Sequence, residues 1–429
     1  MKCIRILPLP RAVKAEVSIP GSKSYTNRAL LLASLAPQPV RIINPLASDD
    51  TKAMANCLQS LGIEVVSKAG SIEVVGSASN IADRDYDLDT DLSGTTMRFL
   101  LALCSVIPGR QTLTGGAGLR KRPIGALVDA LRQLGAKIDY LEREGFPPLL
   151  VSSSSLTSGT IKLRGGKSSQ YVSALLMVAP MTDGVTIEIQ DELISKPYVG
   201  MTIHAMRSFG VNVAEQAPHT YVVSAKQIYD CNEYIVEGDV SSASYFFAIA
   251  ALTSSTLKVK NLNPGSLQAD MGFLRILENM GGRLANGKNE ITVTGNGVQP
   301  VNVNMQDCPD QAQTLAVLAA FAKGETTITG IQSLRVKETE RIAALQQELQ
   351  KMGIRTSSTP DSLTIRGGRP RPAVIDTYGD HRMAMSFAVA GAKLAGMEIN
   401  DPGVVTKTFP GFWSKLAELG ITTEEIIKP

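Results

Sequence analysis

Six stretches of this chain are apolar on nearly every side: residues 21–36, 93–106, 166–180, 238–253, 309–322 and 379–395. Each opens on polar, often Gly- or Ser-bearing positions and continues through Ala, Leu, Met, Phe and Val. A helix that is hydrophobic all round belongs inside a protein, so the six are predicted as buried helices. None holds the roughly 18–20 uninterrupted apolar residues that a membrane span needs. A second, interleaved series has the one-sided pattern of surface helices. Each member closes on Leu/Met-x-x-Leu/Phe/Met-Gly, with the stop at Gly62, Gly135, Gly210, Gly281, Gly353 or Gly420. Glycine just past the last apolar turn is the expected helix terminator.

Short alternating segments lie between the helices, among them Glu64-Val-Val66, Ser71-Ile-Glu-Val-Val75, Val185-Thr-Ile-Glu-Ile189, Thr220-Tyr-Val-Val223 and Glu290-Ile-Thr-Val-Thr294. They read as strands. The chain is therefore a unit of two helices and several short strands, repeated six times at a period of roughly 72 residues, which implies internal duplication. The last unit is a strand or two short, and residues 1–19 carry two strand-like segments, Ile4-Arg-Ile-Leu7 and Ala15-Glu-Val-Ser-Ile19. The N-terminus is expected to return to the C-terminal half. This gives an α/β fold of two three-unit domains, residues 21–238 and residues 1–20 with 239–429.

Bulk properties narrow the function. A chain of 429 residues allows a large core, and a net charge of +3 is too mild and dispersed for a nucleic-acid stripe. Aromatics make up only 5% of the residues, too few for base-stacking platforms beside the cations. Cys3, Cys57, Cys104, Cys231 and Cys308 are scattered without C-x-x-C spacing, as free buried thiols of a reducing compartment are. His204, His219 and His381 lack metal-ligand spacing. Met1-Lys-Cys-Ile-Arg-Ile does not read as a targeting segment, so a cytoplasmic protein is expected.

The helix starts hold an unusual share of the cations. Pro20-Gly-Ser-Lys-Ser-Tyr-Thr-Asn-Arg28 places Lys23 and Arg28 where free backbone N–H groups and the helix dipole already favour an anion. It is not a Walker A loop, because Ser22 separates Gly21 from Lys23. Arg98, Lys167 and Arg382 open other buried helices, while Arg120-Lys-Arg122, Lys196, Arg335, Lys337, Arg341 and Lys407 precede amphipathic ones. If like repeats fold alike, these groups converge on a site for more negative charge than one phosphate carries, about −1.5 to −2. Two anionic small molecules bound together fit best. Two carboxylates stand among the cations: Asp310, at the start of the fifth buried helix, and Glu338, three positions before Arg341. A carboxylate in an anion site makes sense if it moves protons or holds a hydroxyl; a helix cap for Asp310 and a surface ion pair for Glu338 are the structural alternatives.

Read together, Pro20-Gly-Ser-Lys-Ser-x-x-x-Arg28, Ser93-Gly-Thr-Thr-Met-Arg98, Lys121-Arg-Pro-Ile-Gly125, Ser168-Ser-Gln170, Ser195-Lys-Pro-Tyr198, Arg335-Val-Lys-Glu-Thr-Glu-Arg341, Asp380-His-Arg-Met-Ala-Met385 and Lys407-Thr-Phe-Pro410 closely resemble the 5-enolpyruvylshikimate-3-phosphate synthase (3-phosphoshikimate 1-carboxyvinyltransferase) family, in the same order. The resemblance implies two domains of three βαβαββ units each, with buried parallel helices in an inside-out α/β barrel and the active site in the interdomain cleft. It implies transfer of the enolpyruvyl group of phosphoenolpyruvate to the 5-hydroxyl of 3-phosphoshikimate through a tetrahedral intermediate, on the route to chorismate and the aromatic amino acids. Asp310 then takes the hydroxyl proton, and Glu338 with Lys23 moves protons at the enolpyruvyl unit. Lys23, Gly94, Arg122, Gln170, Arg341, Arg382 and Lys407 would hold phosphoenolpyruvate. Lys23, Ser24, Arg28, Ser168, Ser169, Gln170, Ser195, Tyr198, Asp310 and Lys337 would hold 3-phosphoshikimate. No metal or organic cofactor, nucleic acid or membrane is implied, and a monomer is expected.

Three positions depart from the family pattern: Leu92 and Ser333 stand where Asn is common, and Phe99 where Pro is. Leu92 and Phe99 bear on the response to glyphosate, and Leu92 and Ser333 on ligand contacts at those two positions. The sister transferase acting on UDP-N-acetylglucosamine carries a cysteine on a mobile loop of its second unit, whereas Gly115-Gly-Ala-Gly-Leu-Arg-Lys-Arg-Pro123 has none. A nucleic-acid-binding repeat protein is the other alternative, and salt-steep oligonucleotide binding would reveal it.

Overall fold

The computed structural model describes residues 2–152, 155–166 and 168–426; Lys167 lies outside them. The chain forms two compact units, Gly21–Val236 and Met1–Pro20 with Glu237–Pro429. Among the described residues, each holds three four-stranded sheets and three buried helices.

In Gly21–Val236 the buried helices are Lys23–Leu35, Gly94–Cys104 and Ser169–Val178. The other unit has Val240–Thr253, Ala312–Phe321 and His381–Gly391. Every residue of Gly94–Cys104 and of His381–Gly391 is buried, as their all-round apolar pattern requires. Thr314 and Ser386, from two of the buried helices, share a hydroxyl hydrogen bond at 3.1 Å. Side chains of Ser93, Ser168, Asp239 and Asp380 cap four of the helices by accepting from Thr96, Gln170, Ser242 and Arg382 backbone N–H groups. The amphipathic helices Asp49–Ser60, Gly125–Gln133, Pro197–Ser208, Gly272–Asn279, Arg341–Lys351 and Phe412–Glu418 each run out at the glycine read as a stop. All six of those glycines have left-handed backbones, with φ between 79° and 103°.

The sheets share one plan, with one parallel pairing followed by two antiparallel ones. In the second sheet Asp85–Asp89 lies parallel to Arg110–Thr114, which continues antiparallel to Leu149–Val151 and then Ile138–Tyr140. The buried helix Gly94–Cys104 is the crossover between the parallel strands, as βαβ geometry demands. Three sheets are completed by strands distant in sequence. Glu233–Ile235 pairs parallel with Val40–Ile43, and Lys14–Ser18 pairs parallel with Thr256–Lys260. Cys3–Leu7 lies between Glu398–Asn400 and Thr422–Ile426. The two N-terminal strands thus serve different sheets, the fourth and the sixth, rather than both filling the sixth.

Where the chain leaves one unit for the other, two glycines occupy equivalent places. A Cβ on Gly21 would lie 1.9 Å from the Asn44 carbonyl oxygen, and one on Gly238 only 1.6 Å from that of Asn261. Asn44 and Asn261 themselves have φ near 56° and 63° and donate their side-chain amides to the carbonyls of Val236 and Ile19. The repeat is therefore visible at the level of single hydrogen bonds.

Candidate active site

In the unit Gly21–Val236 the predicted residues gather at the starts of the three buried helices. Lys23 opens the first and forms a 3.0 Å ion pair with Asp50, a buried carboxylate in the first turn of Asp49–Ser60. Ser24 and Tyr198 meet through Arg28, which donates from Nη1 to the Ser24 carbonyl at 2.9 Å and from Nη2 to the Tyr198 carbonyl at 3.1 Å. Its Nε donates to Thr202 Oγ1 at 2.8 Å, and Nη2 also reaches Ser173 at 3.4 Å. Burial pulls the Arg28 guanidinium down to about 10. Arg28 is thus engaged inside the protein, pinning helix Lys23–Leu35 to helix Pro197–Ser208.

The second helix start is a cationic cradle. A Cβ on Gly94 would come within 2.8 Å of Arg122 Nη1 and 3.0 Å of Arg98 Nη1, so glycine is what lets both guanidinium groups close over the helix N-terminus. Gln170, from the third helix start, joins them: its side-chain oxygen accepts from Arg98, and its amide donates to Thr95 Oγ1 at 3.2 Å. Ser168 caps that helix, Ser169 is buried beside it, and Ser195 is buried with a φ of 54° just ahead of Pro197.

The other unit assembles the remaining predicted groups into one ion-pair network. Asp310 lies in the short turn Pro309–Gln311 and is no helix cap, since Gln311 occupies that position. Its carboxylate is paired with Lys337 at 3.3 Å, Arg341 at 3.1 Å and Arg382 at 3.2 Å, while its carbonyl accepts from Arg382 Nη1 at 3.2 Å. Burial by itself would raise this carboxyl, but Lys337, Arg382 and Arg341 outweigh it and hold it well below the usual carboxylate range. Glu338 precedes helix Arg341–Lys351 rather than lying on it, yet still meets Arg341 Nη2 at 2.8 Å and Lys407 at 3.4 Å. At 14% side-chain exposure against partners at 1% and 10%, this is not a surface pair. Arg341 is the hub. Asp380 grips it with both carboxylate oxygens, at 2.7 and 3.3 Å. Burial opposes the Arg341 charge, and Asp380, Glu338 and Asp310 more than restore it, so its pKa lies above the ordinary arginine value.

The comparisons with known proteins agree with this chemistry. The family model for EPSP synthase (3-phosphoshikimate 1-carboxyvinyltransferase) matches residues 9–416. The chain belongs to the EPSP synthase family. It is 42% identical over 425 residues to the 3-phosphoshikimate 1-carboxyvinyltransferase of a Sulfurovum species, covering 98% of this chain and 99% of that one. The protein of the same name from Nostoc punctiforme is 40% identical over 423 residues, again with 98% and 99% covered. Among solved structures, EPSP synthase from Acinetobacter baumannii superposes with a TM-score of 0.84 at 25% identity, over the full length of both chains.

Leu92, Phe99 and Ser333 occupy three different settings. Leu92 is 42% exposed and packs over the glycine-rich loop, where a Cβ on Gly116 would come within 2.9 Å of its Cδ2. Phe99 is fully buried in an unbroken helix and lies under the Arg28 guanidinium at 5.5 Å. Ser333 is half-buried in the turn Gln332–Val336. Arg98 reads from sequence only as a cation, and Thr95, Asp50 and Asp270 carry no local signal that singles them out. Asp50 sits in an acidic first turn that reads as ordinary dipole complementation, and only folding brings it to Lys23. Among the described residues no helix is long and apolar enough to cross a membrane, and no group of three or more His, Cys, Asp or Glu is placed to hold a metal.

Proposed function

We propose that this chain transfers the enolpyruvyl group of phosphoenolpyruvate to the 5-hydroxyl of 3-phosphoshikimate, releasing phosphate. The observation that carries the reading is the placing of Asp310 and Glu338 among Lys337, Arg341, Arg382 and Lys407. The arrangement supplies positive charge for anionic substrates and two carboxylates positioned for proton transfer. The cradle of Gly94, Arg98, Arg122 and Gln170 offers further donors for phosphate or carboxylate oxygens.

In this reading Asp310 accepts the substrate hydroxyl proton. With three cations on its carboxylate it is a weak base. Anionic substrates compete for those same cations, so their arrival raises the basicity of Asp310 when the hydroxyl is in place. Glu338 and Lys23 handle the proton added to C3 of the alkene and later removed, on either side of a tetrahedral ketal phosphate. Lys23, Arg122, Gln170, Arg341, Arg382 and Lys407 hold phosphoenolpyruvate. Ser24, Arg28, Ser168, Ser169, Ser195, Tyr198 and Lys337 hold 3-phosphoshikimate, with Arg28 acting through the Ser24 and Tyr198 backbone it binds. In this reading the protein works as a monomer in the cytoplasm. The test is phosphate release from phosphoenolpyruvate with and without 3-phosphoshikimate. Release that depends on the shikimate ester supports the reading, and release that proceeds equally without it overturns it.

A further inference from the structure

Close to the Asp310–Arg382 pair lies a carboxyl that neither the motifs nor the proposed chemistry uses. Asp270, in the turn Ala269–Met271 ahead of helix Gly272–Asn279, is only 3% exposed. Ser241, from the fourth buried helix, donates its hydroxyl to Oδ2. Oδ1 is buried with no hydrogen-bond partner, and no ion pair involves Asp270 among the described residues. A buried carboxylate oxygen with no donor is costly when ionised. Its surroundings are charged all the same: Arg382 favours the ionised form, while Asp310 and Asp239 oppose it. Tyr245, from the fourth buried helix, lies 3.5 Å from Arg382 Nη1, and the Cys308 thiol feels the Asp270 charge from the turn that carries Asp310. Arg275 and Glu278, on the helix that follows Asp270, are exposed.

Charge is nearly balanced here. Lys337, Arg341, Arg382 and Lys407 face Asp310, Glu338 and Asp380, and Asp239 also acts on Asp270, so an ionised Asp270 tips four cations and four carboxylates from balance to one negative charge. We infer that Asp270 is a positioning residue of this half-site: through Arg382 it sets how strongly the half-site attracts an anion, and it takes up a proton as the anion docks. The inference rests on Arg382 as a ligand of phosphoenolpyruvate. Burial lifts the Asp270 carboxyl to about 6, against the pull of Arg382 and of the Ser241 hydrogen bond. An anion on Arg382 adds negative charge and weakens the one cation that favours ionisation, so the proton binds more tightly in the complex. By linkage, anion affinity must fall as pH rises above about 6 in a way that depends on this carboxyl.

The experiment compares wild type with Asp270→Asn, which keeps the size of the side chain and its bond to Ser241 but cannot ionise. Inorganic phosphate is titrated calorimetrically into enzyme saturated with 3-phosphoshikimate, near neutral pH, in two buffers of different ionisation enthalpy. Wild type should take up a fraction of a proton more per site than the variant, the ligand's own ionisation being common to both. In turnover, the KM for phosphoenolpyruvate should rise several-fold more between pH 5.5 and 7.5 in wild type than in Asp270→Asn, with kcat little changed. Equal proton uptake and parallel KM profiles overturn the proposal. Ser241→Ala gives a second reading if the first variant fails to fold: removing the bond that favours ionisation should move the KM rise to higher pH, and an unmoved profile overturns the proposal. Calorimetry needs no turnover, so its result is independent of the assay that tests the reaction itself.

Discussion

At the scale of single residues, the carboxylates separate chemistry from charge. Glu338→Gln and Asp310→Asn keep side-chain size but remove an acid–base group, and each should lose about 10²–10⁴ in kcat while 3-phosphoshikimate still binds. A folded variant retaining more than about a tenth of wild-type kcat would return that residue to a merely structural role. Arg122→Ala and Arg382→Ala should act on capture instead, raising the KM for phosphoenolpyruvate roughly ten- to a hundredfold, the worth of one charge-assisted contact. An unchanged KM would remove that arginine from the site. The cations and the two carboxylates were legible in the sequence because their types and neighbours are local facts. Their partners were not: nothing near Lys23 in sequence indicates Asp50, and nothing in Arg335-Val-Lys-Glu-Thr-Glu-Arg341 shows that Asp380 clasps the last arginine.

At the scale of elements, the sequence pattern placed the buried helices and their glycine stops closely, because all-round apolarity and a left-handed terminator are local requirements. Two glycines test different aspects of the fold. Gly238→Ala drives a Cβ into the Asn261 carbonyl and should cost about 1–3 kcal/mol or more. Gly62→Ala meets no atom within 4 Å and should cost only the left-handed backbone, about 1–2 kcal/mol. Denaturant midpoints that ranked the two the other way would contradict the crossing geometry. Gly94→Ala is the functional counterpart: its methyl pushes the Arg122 and Arg98 guanidinium groups outward, so the KM for phosphoenolpyruvate should rise without loss of stability.

At the scale of the whole molecule, two predictions concern charge. If both units act on the same substrates, ligand supplies negative charge to cations on each, and 3-phosphoshikimate with phosphoenolpyruvate or glyphosate should reduce the radius of gyration in small-angle scattering; an unchanged radius at saturation would count against that reading. Buried Asp270, lifted to about 6, costs the fold stability progressively as pH rises from the ordinary carboxyl value toward 6, and the cost stays constant above that. Asp270→Asn should therefore melt higher than wild type at pH 7.5, by at most about 3 kcal/mol in stability, keep roughly half of that advantage at pH 5 and lose most of it by about pH 4. By itself the sequence determined which segments are helices and strands, where they stop, and which side chains bear charge, since periodicity, turn chemistry and residue type act over a few neighbours. Only the tertiary structure decided that Cys3–Leu7 and Lys14–Ser18 complete different sheets, that Arg28 is consumed by internal hydrogen bonds, and that Asp310 is held by three cations. Those outcomes depend on strand pairing and burial between residues tens to hundreds of positions apart, which no local pattern encodes.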